Sequence, residues 1–199
     1  MRDGNVQDIT AFILAGGKSS RMGSDKAFLE LASSTLLERS LALAHAVAAE
    51  VFIVGSQEKF SRFGRVVEDV FRDCGPLGGI HAALTASRTD LNLALAVDLP
   101  FLEVKFLEYL ISQARMTSAL ATVPCAAGGW QPLCAVYRRE FAVCAESALQ
   151  QGKNKIDLLF TDVEVKTLEE DELLRHGFKP AMFRNLNTPE EMERARKRQ

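Results

Sequence analysis

The stretch of sequence that decides the fold is FILAGGKSSRMGSDK, from Phe12 to Lys26. An apolar run, Ile9–Ala15, leads into it and predicts a buried parallel strand. After Gly16 and Gly17 the chain becomes small, polar and basic, which is typical of a loop that offers backbone N–H groups to a phosphate. The basic side chains that would add positive charge beside that phosphate are Lys18, Arg21 and Lys26.

Two common phosphate-binding loops are excluded here by single residues. The dinucleotide fingerprint G-x-G-x-x-G would need a third-position glycine where the chain has Lys18. The P-loop G-x-x-x-x-G-K-[ST] would find Gly17-Lys18-Ser19, but its first glycine falls on Phe12, inside the predicted strand. The loop is therefore of a third kind.

Composition is typical of a globular protein with one core. The chain has 199 residues, of which 47% are hydrophobic and 25% charged, and this length predicts a single domain over residues 1–199. The net charge of −2 provides no general attraction to nucleic acid or to an anionic membrane, so we expect neither as a partner. The four cysteines form no C-x-x-C pair, which indicates free thiols.

The sequence pattern predicts no membrane-spanning segment. The first residues contain no apolar leader, and the longest apolar stretch, 36–55, is interrupted by charged side chains. We therefore expect a cytoplasmic protein.

Strands and helices alternate through the first two-thirds of the chain. The predicted strands are Ile9–Ala15, Val51–Val54, Arg65–Asp69, Leu93–Val97 and Ala119–Val123. Helical periodicity lies between them, which predicts right-handed βαβ crossovers and a doubly wound, mostly parallel, Rossmann-like α/β sheet. A further apolar run, Leu133–Tyr137, predicts either a hairpin partner or a return strand.

Polar residues and glycines follow the predicted strands, and ligands of such sheets bind beyond the carboxyl ends of the strands. These positions are Gly16-Gly17, Gly55-Ser56, Asp69 and Asp98. An aspartate behind an apolar strand is costly to bury without a partner, and Mg²⁺ beside a polyphosphate commonly takes one or two carboxylates. Asp98 is therefore the predicted metal ligand. The alternative is that Asp98 caps the helix that begins after Pro100.

Other residues carry weaker signals. Asp69 either lines the pocket or lies at a turn, and Lys26 either neutralises phosphates or is solvated. The glycines at 75, 78 and 79 either let a base or ribose approach or simply form a turn before a helix. The three histidines lack partner patterns and are interpreted as structural or exposed.

The loop pattern L-A-G-G-x-S-x-R-M-G-x-D-K resembles the signature loop of the nucleotidyltransferases, and its ending is most similar to that of the molybdenum cofactor guanylyltransferases. Further segments resemble that family in the expected order: Glu68-Asp69, Gly75-Pro76-Leu77-x-Gly79, Asp98-Leu99-Pro100-Phe101, Pro132-Leu133-x-Ala135-x-Tyr137 and Asn185-x-Asn187-Thr188-Pro189-Glu190. Two segments depart from it. Trp130-Gln131 stands where the family often has a histidine, and Gly55-Ser56 replaces an asparagine-containing segment.

The resemblance implies a nucleotidyltransferase fold and an enzyme that transfers GMP from GTP to molybdopterin carrying molybdenum, with release of pyrophosphate. It implies nucleotide contacts from Leu14, Ala15, Gly16, Gly17, Lys26, Asp69, Gly78 and Asp98. Asp98 would hold Mg²⁺, with Mn²⁺ as the alternative ion, and Asn185 and Asn187 would lie on the pterin side. Proteins that deliver the pterin or accept the finished cofactor are the expected protein partners.

The expected chemistry needs no general base, because the attacking phosphate monoester is already an anion at neutral pH. Arg21, Lys26 and Asp98 are the predicted catalytic residues, with the two cations stabilising the pyrophosphate that leaves. Two alternatives remain open from the sequence. One is another nucleotidyltransferase, acting with CTP or on a sugar or polyol phosphate, and the other is a non-catalytic nucleotide-binding regulator.

Overall fold

A computed structural model of the chain describes residues 8–16, 25–71, 73–186 and 191. Within these ranges the strands are β1 Ile9–Leu14, β2 Glu30–Leu31, β3 Ser34–Thr35, β4 Glu50–Val54, β5 Arg65–Val67, β6 Leu91–Ala96, β7 Ala121–Ala126, β8 Gly129–Trp130, β9 Cys134–Arg138 and β10 Val165–Leu168. The helices are α1 Leu36–Val47, α2 Gln57–Phe60, α3 Pro76–Ala86, α4 Val104–Arg115, α5 Phe141–Gln150, α6 Ile156–Leu159 and α7 Glu170–Arg175, with 3₁₀ turns at Lys26–Phe28 and Pro180–Phe183.

The main sheet has the strand order β10-β7-β9-β6-β1-β4-β5, and β8 pairs with β7 at one end. Strands β5, β4, β1 and β6 are mutually parallel, whereas β9 runs antiparallel to both β6 and β7. β9 is therefore a return strand between β6 and β7, and it is also the antiparallel partner of β7, which precedes it in the chain. The doubly wound, mostly parallel α/β sheet is confirmed.

Helices cover both faces of the sheet, and the alternation of β1 side chains decides which face each residue serves. Ile9, Ala11 and Ile13 pack in one core cluster with α1 and α4. On the opposite face α3 and α5 pack over β6, β7 and β9, around the fully buried Tyr137. The nearly continuous apolar runs in β1 and β6 follow from this burial on both sides.

The strand register brings residues that are distant in sequence into one row. Leu14 at the end of β1 pairs with Val54 of β4 on one side and with Ala96 of β6 on the other. Val54 in turn pairs with Val67 of β5. The residues that follow these four strand ends therefore emerge side by side at the carboxyl edge of the sheet.

Several predicted boundaries were wrong. β5 ends at Val67 instead of Asp69, because its partner β4 ends at Val54 and the last ladder bond runs from the Gly55 N–H to the Val67 carbonyl. α3 begins at Pro76, since proline suits the first position of a helix, so the glycines at 78 and 79 lie within the helix and not in a turn before it. The strand predicted at Ala119–Val123 is β7, Ala121–Ala126, and continues through Pro124.

Other expectations concern single residues or segments. The four cysteines are free thiols, as predicted. Thr188, Pro189 and Glu190, from the last segment that resembles the family, lie outside the described residues. None of the helices in the described ranges combines the length and the apolar character that crossing a bilayer requires.

Candidate active site

A cleft of about 870 Å³ opens at the carboxyl edge of the sheet, beyond the four aligned strand ends. Its floor follows β1, β4 and β6, one side is formed by the segment between β5 and α3, and Lys26 stands opposite. The residues that line it are Leu14, Ala15, Gly16, Lys26, Val54, Gly55, Ser56, Glu68, Asp69, Asp73, Gly75, Pro76, Gly79, Ala96, Val97, Asp98 and Leu133. This is the edge at which ligands of doubly wound sheets bind.

Asp98 and Lys26 form an ion pair inside this cleft. The Lys26 Nζ lies 3.2 Å from Asp98 Oδ2, with 22% of the lysine side chain and 17% of the aspartate side chain exposed. The need of Asp98 for a partner is thus met by a cation that comes from 72 residues away in the chain. The alternative that Asp98 caps a helix is wrong, because α4 begins at Val104 with Glu103 at its N-cap.

The turn that carries Lys26 begins with a capping aspartate. Asp25 Oδ1 accepts a hydrogen bond from the Ala27 N–H at 3.2 Å and so closes the 3₁₀ turn Lys26–Phe28. After the turn, the chain continues into the short strand β2, Glu30–Leu31. The turn directs Lys26 into the cleft.

The backbone at the end of β1 is already hydrogen-bonded. The Ala15 and Gly16 N–H groups both donate to the Val54 carbonyl at 3.0 Å. Leu14, Ala15 and Gly16 line the cleft, and the N–H groups of Ala15 and Gly16 already have a partner within the sheet. Gly17 and Arg21, both predicted site residues, lie outside the described residues.

Asp69 lies on the opposite side of the cleft, against the first turn of α3. Its Oδ1 accepts the Phe71 N–H at 2.9 Å, and a Cβ on Gly78 would come within 2.7 Å of its carboxylate. Burial raises the pKa of Asp69, and the Phe71 N–H and His81 oppose that rise. Gly78 does not line the cleft, whereas its neighbour Gly79 does. The glycine at 78 makes room for Asp69.

Three polar or charged residues line the cleft but are not among the predicted site residues: Ser56, Glu68 and Asp73. Glu68 Oε1 accepts the Gln57 N–H at 3.0 Å and so holds the start of α2. Counting the strand register onward from Val54 and Val67 would have found Ser56 and Glu68, because both follow paired strand ends. The side chains on the loop before α3 carry no such signal.

The residues predicted to face the pterin are only partly described. The Leu186 N–H donates to the Asp98 carbonyl at 3.2 Å, which holds Asn185 next to the backbone of Asp98. The Asn185 side chain is exposed and does not line the cleft. Asn187 lies outside the described residues.

The segments that depart from the family pattern have local structural roles. Gln131 Nε2 donates to the Ala126 carbonyl at 2.9 Å, and the Trp130 ring packs edge-on against Phe160. Gly55 lies under the ring of Phe60, where a Cβ would approach to 2.8 Å. These contacts explain the residue types without a ligand.

The number and arrangement of carboxylates in the cleft decide which kind of metal site is possible. Across the described ranges, no group of three or more His, Cys, Asp or Glu side chains is arranged to hold a metal ion. Asp98 beside a cleft of this size fits Mg²⁺ bound by one protein carboxylate and completed by phosphate oxygens and water. It does not fit a metal caged by the protein alone.

Comparisons with known proteins agree with this geometry. Residues 11–162 match the family model of the MobA-like NTP transferase domain. A protein of Pelotomaculum thermopropionicum named "Probable molybdenum cofactor guanylyltransferase" is 35% identical over 189 residues, which are 94% of this chain and 91% of that protein. A protein of Syntrophotalea carbinolica named "Molybdenum cofactor guanylyltransferase" is 33% identical over 193 residues, which are 94% of this chain and 90% of that protein.

A solved structure resembles the whole fold. The crystal structure of molybdopterin-guanine dinucleotide biosynthesis protein A from Archaeoglobus fulgidus superposes with a TM-score of 0.82 at 27% identity. The match covers 94% of this chain and 97% of that one. The matched sequence, the aligned strand ends and the cleft above them lead to one conclusion. The chain belongs to the family of MobA-like NTP transferase domains.

Proposed function

We propose that this protein transfers GMP from GTP to the terminal phosphate of molybdopterin carrying molybdenum, forming the guanine dinucleotide cofactor and pyrophosphate. The observation that carries the proposal is the Lys26–Asp98 pair, at 3.2 Å, beside the aligned ends of β1, β4 and β6. The named activity of relatives at 33–35% identity supports the choice of guanine and of the pterin acceptor.

The nucleotide fits the cleft with its triphosphate toward Lys26 and Asp98. The opposite side, formed by Asp69, Pro76 and Gly79, would then face the ribose and base. Gly79 lines the cleft and presents no side chain, so no Cβ stands between this part of α3 and a flat ring. A cleft of about 870 Å³ is within the range of small-molecule sites.

The chain's own residues would act mainly through charge. The attacking phosphate of the acceptor is an anion, so the barrier comes from repulsion between two anions, and a base is not needed. Lys26 would lie against the phosphates and stabilise the charge that develops on the leaving pyrophosphate. Mg²⁺ held by Asp98 would supply further positive charge across the phosphates.

Binding of a nucleotide would change the partner of Lys26. A polyphosphate brings several negative charges next to the ammonium group, and a cation that comes with it competes for Asp98. The existing ion pair therefore keeps both side chains at the point where the triphosphate would lie. The two residues do not need to be recruited from distant rotamers.

The acceptor would approach from the side of Asn185, which the backbone contact between Leu186 and Asp98 holds beside the metal ligand. Proteins that deliver the pterin or take over the product are proposed partners.

The first experiment compares thermal stabilisation of the protein by GTP and by CTP, each with and without Mg²⁺. Binding stabilises the folded state by RT ln(1 + [L]/Kd), about 2.7 kcal/mol when the ligand is at 100 times its Kd. We expect a clear shift with GTP that Mg²⁺ increases. Stabilisation by CTP alone would overturn the guanine assignment.

The second experiment measures pyrophosphate release from GTP with the molybdenum-loaded pterin as acceptor. Release that depends on both substrates is the expected result. Binding of GTP without any release would indicate a nucleotide-binding regulator instead of an enzyme.

A further inference from the structure

The 3₁₀ turn that carries Lys26 rests on the short helix α2, which follows β4. Asp25 begins this turn, and its second oxygen, Oδ2, pairs with the Lys59 Nζ of α2 at 2.9 Å. The same carboxylate thus caps the turn through one oxygen and binds α2 through the other.

Aromatic packing joins the same two segments. The Phe28 ring, at the end of the turn, lies 5.6 Å from the Phe60 ring and 5.5 Å from the Phe63 ring. Phe60 is fully buried, and the Arg62 guanidinium lies 4.8 Å from the Phe63 centroid. The turn therefore has both an apolar contact and an ionic contact with α2 and the residues directly after it.

Helix α2 in turn contacts the residues that follow β4 and β5 below the cleft. Glu68, after β5, accepts the N–H of Gln57 at the start of α2. Gly55, directly after β4, leaves the space that the Phe60 ring occupies, since a Cβ there would approach to 2.8 Å. The contacts run from β4 and β5 through α2 to the turn, and Lys26 is the residue that the turn presents to Asp98.

We propose that Asp25 and Lys59 are positioning residues, whose ion pair holds Lys26 where the triphosphate binds. This inference rests on the proposed function. Lys59 does not line the cleft, and 55% of its side chain is exposed. It also neutralises Asp25, the carboxylate adjacent to Lys26, which would otherwise attract the Lys26 ammonium group and repel a polyphosphate.

The test measures the GTP dissociation constant in the presence of Mg²⁺ by calorimetry, without an acceptor, for the full chain. We expect Lys59→Met to weaken GTP binding about 2- to 5-fold at low salt, the range that an exposed ion pair provides. Lys59→Arg should restore the affinity. At about 1 M salt, where charges are screened within about 3 Å, the difference between wild type and Lys59→Met should vanish.

The chain offers a matched control in Arg65→Met. Arg65 forms an exposed ion pair with Glu50 at 2.7 Å, on the first residue of β5 and outside the cleft. We expect this variant to bind GTP as tightly as the wild type. Urea unfolding of both variants checks that neither change acts by loss of the fold.

Asp25→Asn separates positioning from direct contact by Lys59 with the nucleotide. The amide oxygen can still accept the Ala27 N–H, but the ion pair is lost. Positioning predicts that Asp25→Asn weakens GTP binding and that the double variant with Lys59→Met is no worse than either single one. Unchanged or tighter binding by Asp25→Asn, or normal binding by Lys59→Met at low salt, would overturn the inference.

Failure of the proposed function would look different. In that case the wild type would release no pyrophosphate with the molybdenum-loaded pterin, while its affinity for GTP would still respond to the two variants. Steady-state assays of an active wild type add a further readout. Lys59→Met should raise the KM for GTP and leave the KM for the pterin unchanged.

Discussion

At the scale of single residues, the site contains two partly buried aspartates, and their negative charges are compensated to different degrees. Asp98 follows the buried strand β6, and its charge is balanced by Lys26. Asp69 is partly buried without a cation at hydrogen-bond distance among the described residues, and one backbone N–H compensates it. Such pairs and half-compensated acids cluster at functional sites, because binding needs charge that the fold alone would not place there.

Replacement of Asp98 by asparagine separates charge from shape. We expect Asp98→Asn to lower pyrophosphate release on the order of 100-fold or more, because the variant loses the carboxylate that would hold Mg²⁺. Its free energy of unfolding should stay within about 1 kcal/mol of the wild type. Asp90→Asn, which alters an exposed ion pair with Arg138, is the control. Near-normal turnover of Asp98→Asn would contradict the metal assignment.

Asp69 makes stability depend on pH. Burial raises its pKa above the ordinary 3.8, so the folded state holds this proton more tightly than the unfolded state does. The free energy of unfolding of the wild type therefore decreases as the pH rises from 3.8 through the raised pKa. The decrease is complete at neutral pH.

Asp69→Asn should remove that decrease. We expect this variant to be at least as stable as the wild type at pH 7, with the difference shrinking as the pH falls toward 3.8, while its GTP affinity decreases. Urea unfolding across this pH range measures the first effect and calorimetry the second. A variant that is less stable than the wild type at pH 7 would show that the carboxylate stabilises the fold.

At the scale of elements, the start of α3 shows how backbone shape forms one side of the cleft. Gly75 at its N-cap has φ of 67° and ψ of −157°, a conformation that is essentially confined to glycine. Pro76 then takes the first helical position. Two glycines follow within the first turn, and both are buried. The two glycines differ in the atoms that a Cβ at each position would meet.

Gly78 and Gly79 give opposite predictions within one helix. A Cβ at 78 would clash with the Asp69 carboxylate and with the Phe71 carbonyl, at 2.7 and 2.9 Å, so Gly78→Ala should lower the free energy of unfolding by about 1–3 kcal/mol. A Cβ at 79 would meet side chains at 3.5 Å, which is ordinary contact. Alanine's helix propensity should make Gly79→Ala neutral or stabilising, by up to about 1 kcal/mol.

Denaturant unfolding of the two glycine variants at one pH decides between these outcomes. Equal stabilities of the two variants would mean that the loop carrying Asp69 yields to the new methyl group.

At the scale of the whole molecule, the return strand β9 joins the two parts of the sheet. It pairs with β6, which lies beside the cleft, and with β7 on its other side. Tyr137 of β9 is fully buried among α3, α5 and Phe160, and its hydroxyl donates to the Pro132 carbonyl at 2.7 Å. Loss of this strand would open the sheet at its middle.

We therefore predict that Tyr137→Ala destabilises the whole chain by about 3–5 kcal/mol, whereas Tyr137→Phe costs only about 1 kcal/mol for the lost hydrogen bond. Far-UV circular dichroism and the fluorescence of the single tryptophan, Trp130, should report one common transition, as a single domain requires. Transitions that separate in Tyr137→Ala would contradict the single domain.

The doubly wound sheet could be predicted from the sequence, because apolar runs alternate with segments of helical periodicity. Strands that are buried on both faces require such apolar runs. The same local signals located Leu14–Gly16, Asp69 and Asp98 at strand ends, and all of them line the cleft. Boundaries were less accurate where pairing partners decide them. β5 stops where β4 stops, and the position of Asp69 beyond the last ladder bond could not be predicted without that partner.

The sequence by itself determined the order of the main elements and the candidate residues, because both depend on neighbours along the chain. Only the tertiary structure decided that β9 enters between β6 and β7, that Lys26 pairs with Asp98, and that Lys59 holds Asp25. The physical reason is that an ion pair depends on where two chain segments meet in space. That meeting is set by strand register and packing, which no local pattern encodes.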